Sequence, residues 1–113
     1  MALNLVYLDD EEDLCSLFAE MFSSDEVKIK TFVDPELAIQ EVSSNPPDLI
    51  FLDFRLPKVT GDMVALKMNN AIPKVLISGD ISPITEYKFL KIFGKPWTVS
   101  EVENLILEFK NKK

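Results

Sequence analysis

Alternation constrains this chain more than any single residue does. Short apolar runs suited to β-strands alternate with segments whose apolar residues recur at helical spacing. The strand-like runs are LNLVYL (3–8), VKIKTF (27–32), LIFLDF (49–54), KVLIS (74–78) and KFLKIF (88–93). The helical segments are LCSLFAEMF (14–22), DPELAIQEV (34–42), GDMVALKMNN (61–70) and TVSEVENLILEFKNK (98–112), while SPITEY (82–87) holds at most a turn or two. Strand followed by helix, repeated along the chain, predicts a doubly wound, five-stranded parallel sheet with helices on both faces. Asp34 is the expected N-cap of the second helix, with Pro35 in its first turn. Thr98 and Glu101 have the spacing of a capping box. Leu14, Leu17, Phe18, Met21 and Phe22 are the expected core stripe of the first helix. Leu37, Ala38 and Val42 are that of the second, and Val102, Leu105, Ile106 and Phe109 that of the last.

The chain has 113 residues, the size of one domain, and 47% hydrophobic residues, enough for a single core. We therefore read 1–113 as one domain with no residues left over for an output domain. No apolar run approaches the ~20 residues of a membrane span, so membrane insertion is not expected. The N-terminus lacks the basic and apolar regions of a signal peptide. A single cysteine, Cys15, cannot form an internal disulfide, which fits a cytoplasmic protein. A net charge of −7 argues against direct nucleic-acid binding. There is no histidine, which removes Ser-His-Asp and Cys-His nucleophiles. Chemistry must come from carboxylates, Lys, Arg and hydroxyls.

Ligands bind such sheets outside the carboxyl ends of the strands. The first strand ends in Asp9 and Asp10, the third in Asp53, the fourth in Ser78 and the fifth in Lys95–Pro96. Carboxylates so close together need a counter-charge, and carboxylate-and-water sites suit Mg2+ or Mn2+. Each residue also has a plainer reading. Asp9 and Asp10 could serve a helix dipole with Glu11, Glu12 and Asp13. Asp53 and Ser78 could be caps, and Lys95 and Arg55 solvated side chains.

The set resembles the receiver domain of two-component response regulators, a flavodoxin-like (βα)5 fold. The resemblance covers nearly the whole chain and rests on LDDEE, DFRLPKVTG, ISG and GKPW, each following a strand in order. It implies that Asp53 is a phosphoacceptor. It implies that Asp9, Asp10, Asp53 and the Arg55 backbone carbonyl hold Mg2+, and that Ser78 and Lys95 bind the phosphoryl group. Pro57, Gly61 and Pro96 match the family's structural positions, with Pro96 the expected cis-proline. The implied partners are a sensor histidine kinase or a histidine phosphotransfer protein and an unknown downstream protein. The implied chemistry is self-phosphorylation and self-dephosphorylation, not turnover of a separate substrate.

The sequence departs from the family in three places. The stretch between Ser78 and Lys95 is about a helical turn short, leaving little for a fourth helix. The position three before Lys95, commonly Tyr or Phe, is Ile92, so the usual aromatic switch is absent; Tyr87 and Trp97 are other readouts. Arg55 and Asp80 are expected to pair across the mouth of the site and tune phosphoryl lifetime. An alternative is a degenerate receiver used only as an interaction module. An aspartate-nucleophile phosphatase of the haloacid-dehalogenase type is disfavoured, because Arg55 stands where its acid would be.

Overall fold

The computed structural model describes every residue except Met1, Ile81, Ser82, Ile84 and Lys113. Its strands are β1 (Leu3–Leu8), β2 (Val27–Phe32), β3 (Leu49–Asp53), β4 (Lys74–Ser78) and β5 (Lys91–Gly94). Its helices are α1 (Glu12–Phe22), α2 (Pro35–Ser44), α3 (Gly61–Leu66) and α4 (Val99–Asn111). All strand pairs are parallel, in the order β2-β1-β3-β4-β5. The order reverses between β1 and β3, where such sheets open a crevice for ligands.

Side chains alternate along each strand, and that alternation sorts the core into two layers. Leu5, Tyr7, Leu49, Phe51, Val75, Ile77 and Phe93 pack against α1 and α4. Val6, Leu8, Ile50 and Leu52 face α2 and α3 on the other side. β3 and β4 are therefore buried at every residue. This is why they read as continuous apolar runs.

The expected caps are present. Asp34 accepts from Glu36 N–H at 2.9 Å. Thr98 and Glu101 form the full capping box. The stripes are narrower than expected. On α1, Phe18 and Phe22 are buried, but Leu17 and Met21 face solvent. On α2, Ala38 and Val42 are buried, but Leu37 is exposed. Each buried pair is four residues apart, one turn; Leu14, a further turn back on the α1 line, is half-buried, whereas Leu17, Met21 and Leu37 lie off these lines.

The largest difference is between β4 and β5. β5 begins at Lys91 rather than Lys88, and among the described residues no helix joins the two strands. Of the SPITEY turn, Ser82 and Ile84 lie outside the described residues, and Pro83, Thr85, Glu86 and Tyr87 are not helical. Ile92 lies on the sheet face opposite Phe93, the face such a helix would cover, and is 49% exposed.

Tyr87 and Phe89, packed into the core layer on that side, and several polar ties hold the connection instead. Lys74, only 1% exposed, opens β4. Its ammonium donates to Asn69 O at 2.7 Å, Ile72 O at 2.9 Å and Tyr87 Oη at 2.9 Å. Asp62, near the start of α3, accepts from Glu86 N–H at 2.9 Å and from the Thr60 hydroxyl.

Candidate functional site

Register brings the strand-end residues to one edge. Leu8 pairs with Leu52, so Asp9 stands level with Asp53. Asp53 pairs with Ile77, and Ser78 with Gly94, so Ser78 and Lys95 follow at neighbouring strand ends. Asp9 and Asp53 are almost wholly buried, at 0% and 1% exposure, whereas Asp10 is exposed. Asp9, Asp10 and Asp53 each offer a carboxylate oxygen, and these lie within 4.8 Å of one another.

Lys95 is the cation at this edge. Its Nζ lies 3.1 Å from Asp53 Oδ2, 3.5 Å from Asp9 Oδ2 and 3.5 Å from Glu11 Oε1. Burial works against the Lys95 ammonium. Its hydrogen bond to Asp53 and the charges of Asp53, Asp9 and Glu11 outweigh that and raise its pKa. Asp53 is pushed up to about 6, by burial first and the charge of Asp9 second, with Lys95 opposing both. One ammonium does not balance the cluster. The oxygen-only donor set and its uncompensated charge fit a hard divalent cation.

The loop after β3 shapes the mouth. Arg55 and Thr60 form an antiparallel bridge closing the turn that carries exposed Pro57. Gly61 N–H donates to Phe54 O at 2.8 Å. A Cβ on Gly61 would collide with the Asp53 carbonyl oxygen and come within 3.1 Å of its carbon. That position therefore takes glycine because α3 starts against the backbone of Asp53. Arg55 Nη2 lies 2.7 Å from Asp80 Oδ2, and its guanidinium also sits 5.3 Å from the Phe54 ring centroid. Ser78 Oγ accepts from Asp80 N–H at 3.0 Å, as a cap would, and keeps its own proton to donate. The Lys95–Pro96 peptide bond is cis.

The sequence profile of the response regulator receiver domain matches residues 5–92. The chain belongs to that family. Among relatives of this receiver, an uncharacterised response regulatory protein of Vibrio cholerae is 33% identical over 86 residues, 73% of this chain and 32% of that protein. The nitrogen assimilation regulatory protein NtrX of Azorhizobium caulinodans is 31% identical over 84 residues, 70% of this chain and 18% of its own length. The chain thus spans a third or less of these two relatives. The receiver fold recurs in a CheY-like receiver of Methanospirillum hungatei, with TM-score 0.86, 13% identity and coverage of 99% and 96% of the two chains. A CheY-like receiver of Methylobacillus flagellatus matches with TM-score 0.83, 17% identity and coverage of 96% and 99%.

Sequence reasoning missed several polar groups of this receiver. Glu11, read only as a helix-dipole charge, reaches Lys95 and donates its N–H to Asp9 Oδ1 at 2.9 Å. Cys15, read only as a lone cysteine without a disulfide partner, has its thiol 3.3 Å from the Asp9 carbonyl oxygen, and burial and then Asp9 push it up to about 11. Burial and the charge of Asp9 hold the Tyr7 phenol far above its ordinary value, so it stays protonated. The one visible signal was a hydroxyl-bearing ring inside the otherwise apolar end of LNLVYL. No helix among the described residues is long and apolar enough to cross a membrane.

Proposed function

We propose that this receiver is a phosphoacceptor in a two-component phosphorelay, with Asp53 as nucleophile. The observation that carries the reading is the meeting of Asp9, Asp10, Asp53 and Lys95 at one strand edge, with Lys95 3.1 Å from Asp53. A carboxylate oxygen of Asp53 attacks the phosphorus of a phosphohistidine on a sensor kinase or phosphotransfer protein. The P–N bond breaks, its electron pair stays on the imidazole, and Asp53 becomes an acyl phosphate.

Asp9, Asp10, Asp53 and the Arg55 carbonyl would hold Mg2+ or Mn2+, which when bound neutralises charge on the phosphoryl oxygens. Lys95 pairs with one of those oxygens and the Ser78 hydroxyl donates to another. Arg55 and Asp80 close the mouth, slow the attack of water and lengthen the phosphoryl lifetime. Output is through protein contacts in the cytoplasm. The reaction is modification of the receiver itself, so we do not read it as an enzyme with a separate substrate.

The second reading, a phosphorylation-independent interaction module, is favoured by the β4–β5 connection and by exposed Ile92 at the usual switch position. Intact mass after incubation with acetyl phosphate and Mg2+, repeated with a cognate kinase, separates the two. We expect one phosphoryl adduct, lost with EDTA and in Asp53→Ala. A folded, Mg2+-binding protein that gains no adduct from either donor refutes the phosphoacceptor reading and leaves the module.

A further inference from the structure

A hydrogen-bonded chain enters the acidic cluster from the interior, separate from the groups at its mouth. Trp97 Nε1 donates to Tyr7 Oη at 3.1 Å, and Tyr7 Oη donates to Asp9 Oδ2 at 3.1 Å. The direction follows from the donors. An indole N–H only donates, so the phenol oxygen accepts from it and gives its own proton to Asp9 Oδ2. All three residues are buried. The geometry is also fixed by packing. The Tyr7 ring stacks on Phe18 with centroids 4.1 Å apart, and Trp97 meets Phe18 edge-on at 5.5 Å. The other Asp9 oxygen is held by Glu11 N–H.

We propose that Tyr7 and Trp97 are positioning residues that fix the Asp9 carboxylate for a divalent cation, and that the Trp97 indole N–H registers cation binding through Tyr7. The inference rests on the reading of Asp9 as a cation ligand and adds an outer layer to it. Hydrogen-bond partners behind a ligating group orient it and set its basicity, and losing one costs about 10–100-fold in metal affinity. Bonds in such a chain also polarise one another. Electron density drawn from Asp9 by a cation weakens its pull on the Tyr7 proton, and the change passes to the indole N–H.

Trp97 is the only tryptophan, so its indole gives a single 1H–15N signal. The experiment follows that signal during Mg2+ addition and, in parallel, measures Mn2+ binding by the electron paramagnetic resonance of free Mn2+. Wild type, Tyr7→Phe and Trp97→Phe are compared, with the backbone amide spectrum as the test of folding. Tyr7→Phe keeps the ring that stacks on Phe18. We expect the wild-type indole signal to move with Mg2+ and to saturate along the same isotherm as the site. In Tyr7→Phe we expect Mn2+ binding weakened about tenfold and the indole response lost. Trp97→Phe should lose less, because Tyr7 still holds Asp9.

A wild-type indole signal that stays still while the cation binds overturns the inference without needing any variant. So does a Tyr7→Phe protein that binds Mn2+ as tightly as wild type. A folded wild type that binds no Mn2+ removes the cation reading of Asp9, and this inference with it.

Discussion

Gly61→Ala tests how tightly the start of α3 is locked to the strand that ends in Asp53. The added Cβ would land on the Asp53 carbonyl oxygen and within 3.1 Å of both the Asp53 carbonyl carbon and Leu76 Cδ1. Leu76 can rotate slightly. The Asp53 backbone cannot move cheaply, because β3 is paired with β4 and Phe54 N–H donates to Ile77 O at 2.8 Å. Overpacking of this kind costs about 1–3 kcal/mol. Replacing glycine by alanine returns about 0.4–1 kcal/mol through the unfolded chain. The net expectation is a loss of about 1.3 kcal/mol, within about 0–2.6, from the difference of those two effects.

Urea unfolding measures it as a lower midpoint at unchanged slope. Gly79→Ala and Gly94→Ala are the controls, since a Cβ at either meets nothing within 4 Å. They should be neutral or slightly stabilising. The phosphorylation rate should fall with Gly61→Ala and not with Gly94→Ala, because the displaced backbone carries Asp53. A Gly61→Ala protein as stable as the controls would refute the claim that close approach dictates glycine here.

Lys95→Met removes the ammonium nearest Asp53 and Asp9 and should raise the Asp53 pKa further above about 6, read by carboxyl NMR titration. It should also tighten Mn2+ binding, roughly tenfold if the relieved repulsion is about 1.4 kcal/mol; weaker binding would contradict the charge argument. Arg55→Ala breaks an ion pair whose Arg side chain is 71% exposed, so stability should change by no more than about 1 kcal/mol. Dephosphorylation should quicken several-fold, and an unchanged rate sinks the proposed gate. For Asp62, burial opposes ionisation, but hydrogen bonds from the Thr60 hydroxyl and Glu86 N–H outweigh it and hold its carboxyl below the usual range. Its contribution is therefore full above the unfolded carboxyl value of about 4 and is lost as pH falls through the lower folded value. The stability gap between wild type and Asp62→Asn should close only in that acid range, as urea midpoints against pH would show. A gap that persists unchanged below pH ~2 would be inconsistent with an ionised tie.

The sheet was legible because each layer leaves its own period in the sequence. LIFLD and KVLIS are apolar throughout because both faces of β3 and β4 are covered. Asp9, Asp53, Ser78 and Lys95 were legible as a set because parallel strands deliver their carboxyl ends to one edge. What stayed hidden depends on contacts between distant positions. Tyr7 and Trp97 are 90 residues apart, and no local pattern announces their hydrogen bond. KFLKIF looked like a strand from its first residue because four of its six residues are apolar, two of them aromatic, which suits a short buried strand. The pairing of Val75 with Lys91, and the Leu90 N–H that donates to Lys74 O at 2.9 Å just before it, show that the chain reaches the sheet at Lys91.

Lys74 explains how the β4–β5 connection dispenses with a long helix among its described residues. Lysine is an expensive residue to bury, and it is stable here because two carbonyls and a phenol accept its protons and the Tyr87 ring lies 4.8 Å away. A helix would hold this segment by spreading apolar contact along the sheet. Here buried Tyr87, with Phe89 against its ring, and a few directional bonds hold it, and those bonds start from the elements that flank Asp53. Asp62 stands one residue beyond Gly61, which touches the Asp53 backbone, and Lys74 begins the strand that ends in Ser78. Asp80, two residues past Ser78, returns to Arg55 beside Asp53. The connection is therefore tied to the site at its near end and to α3 and β4 at its far end.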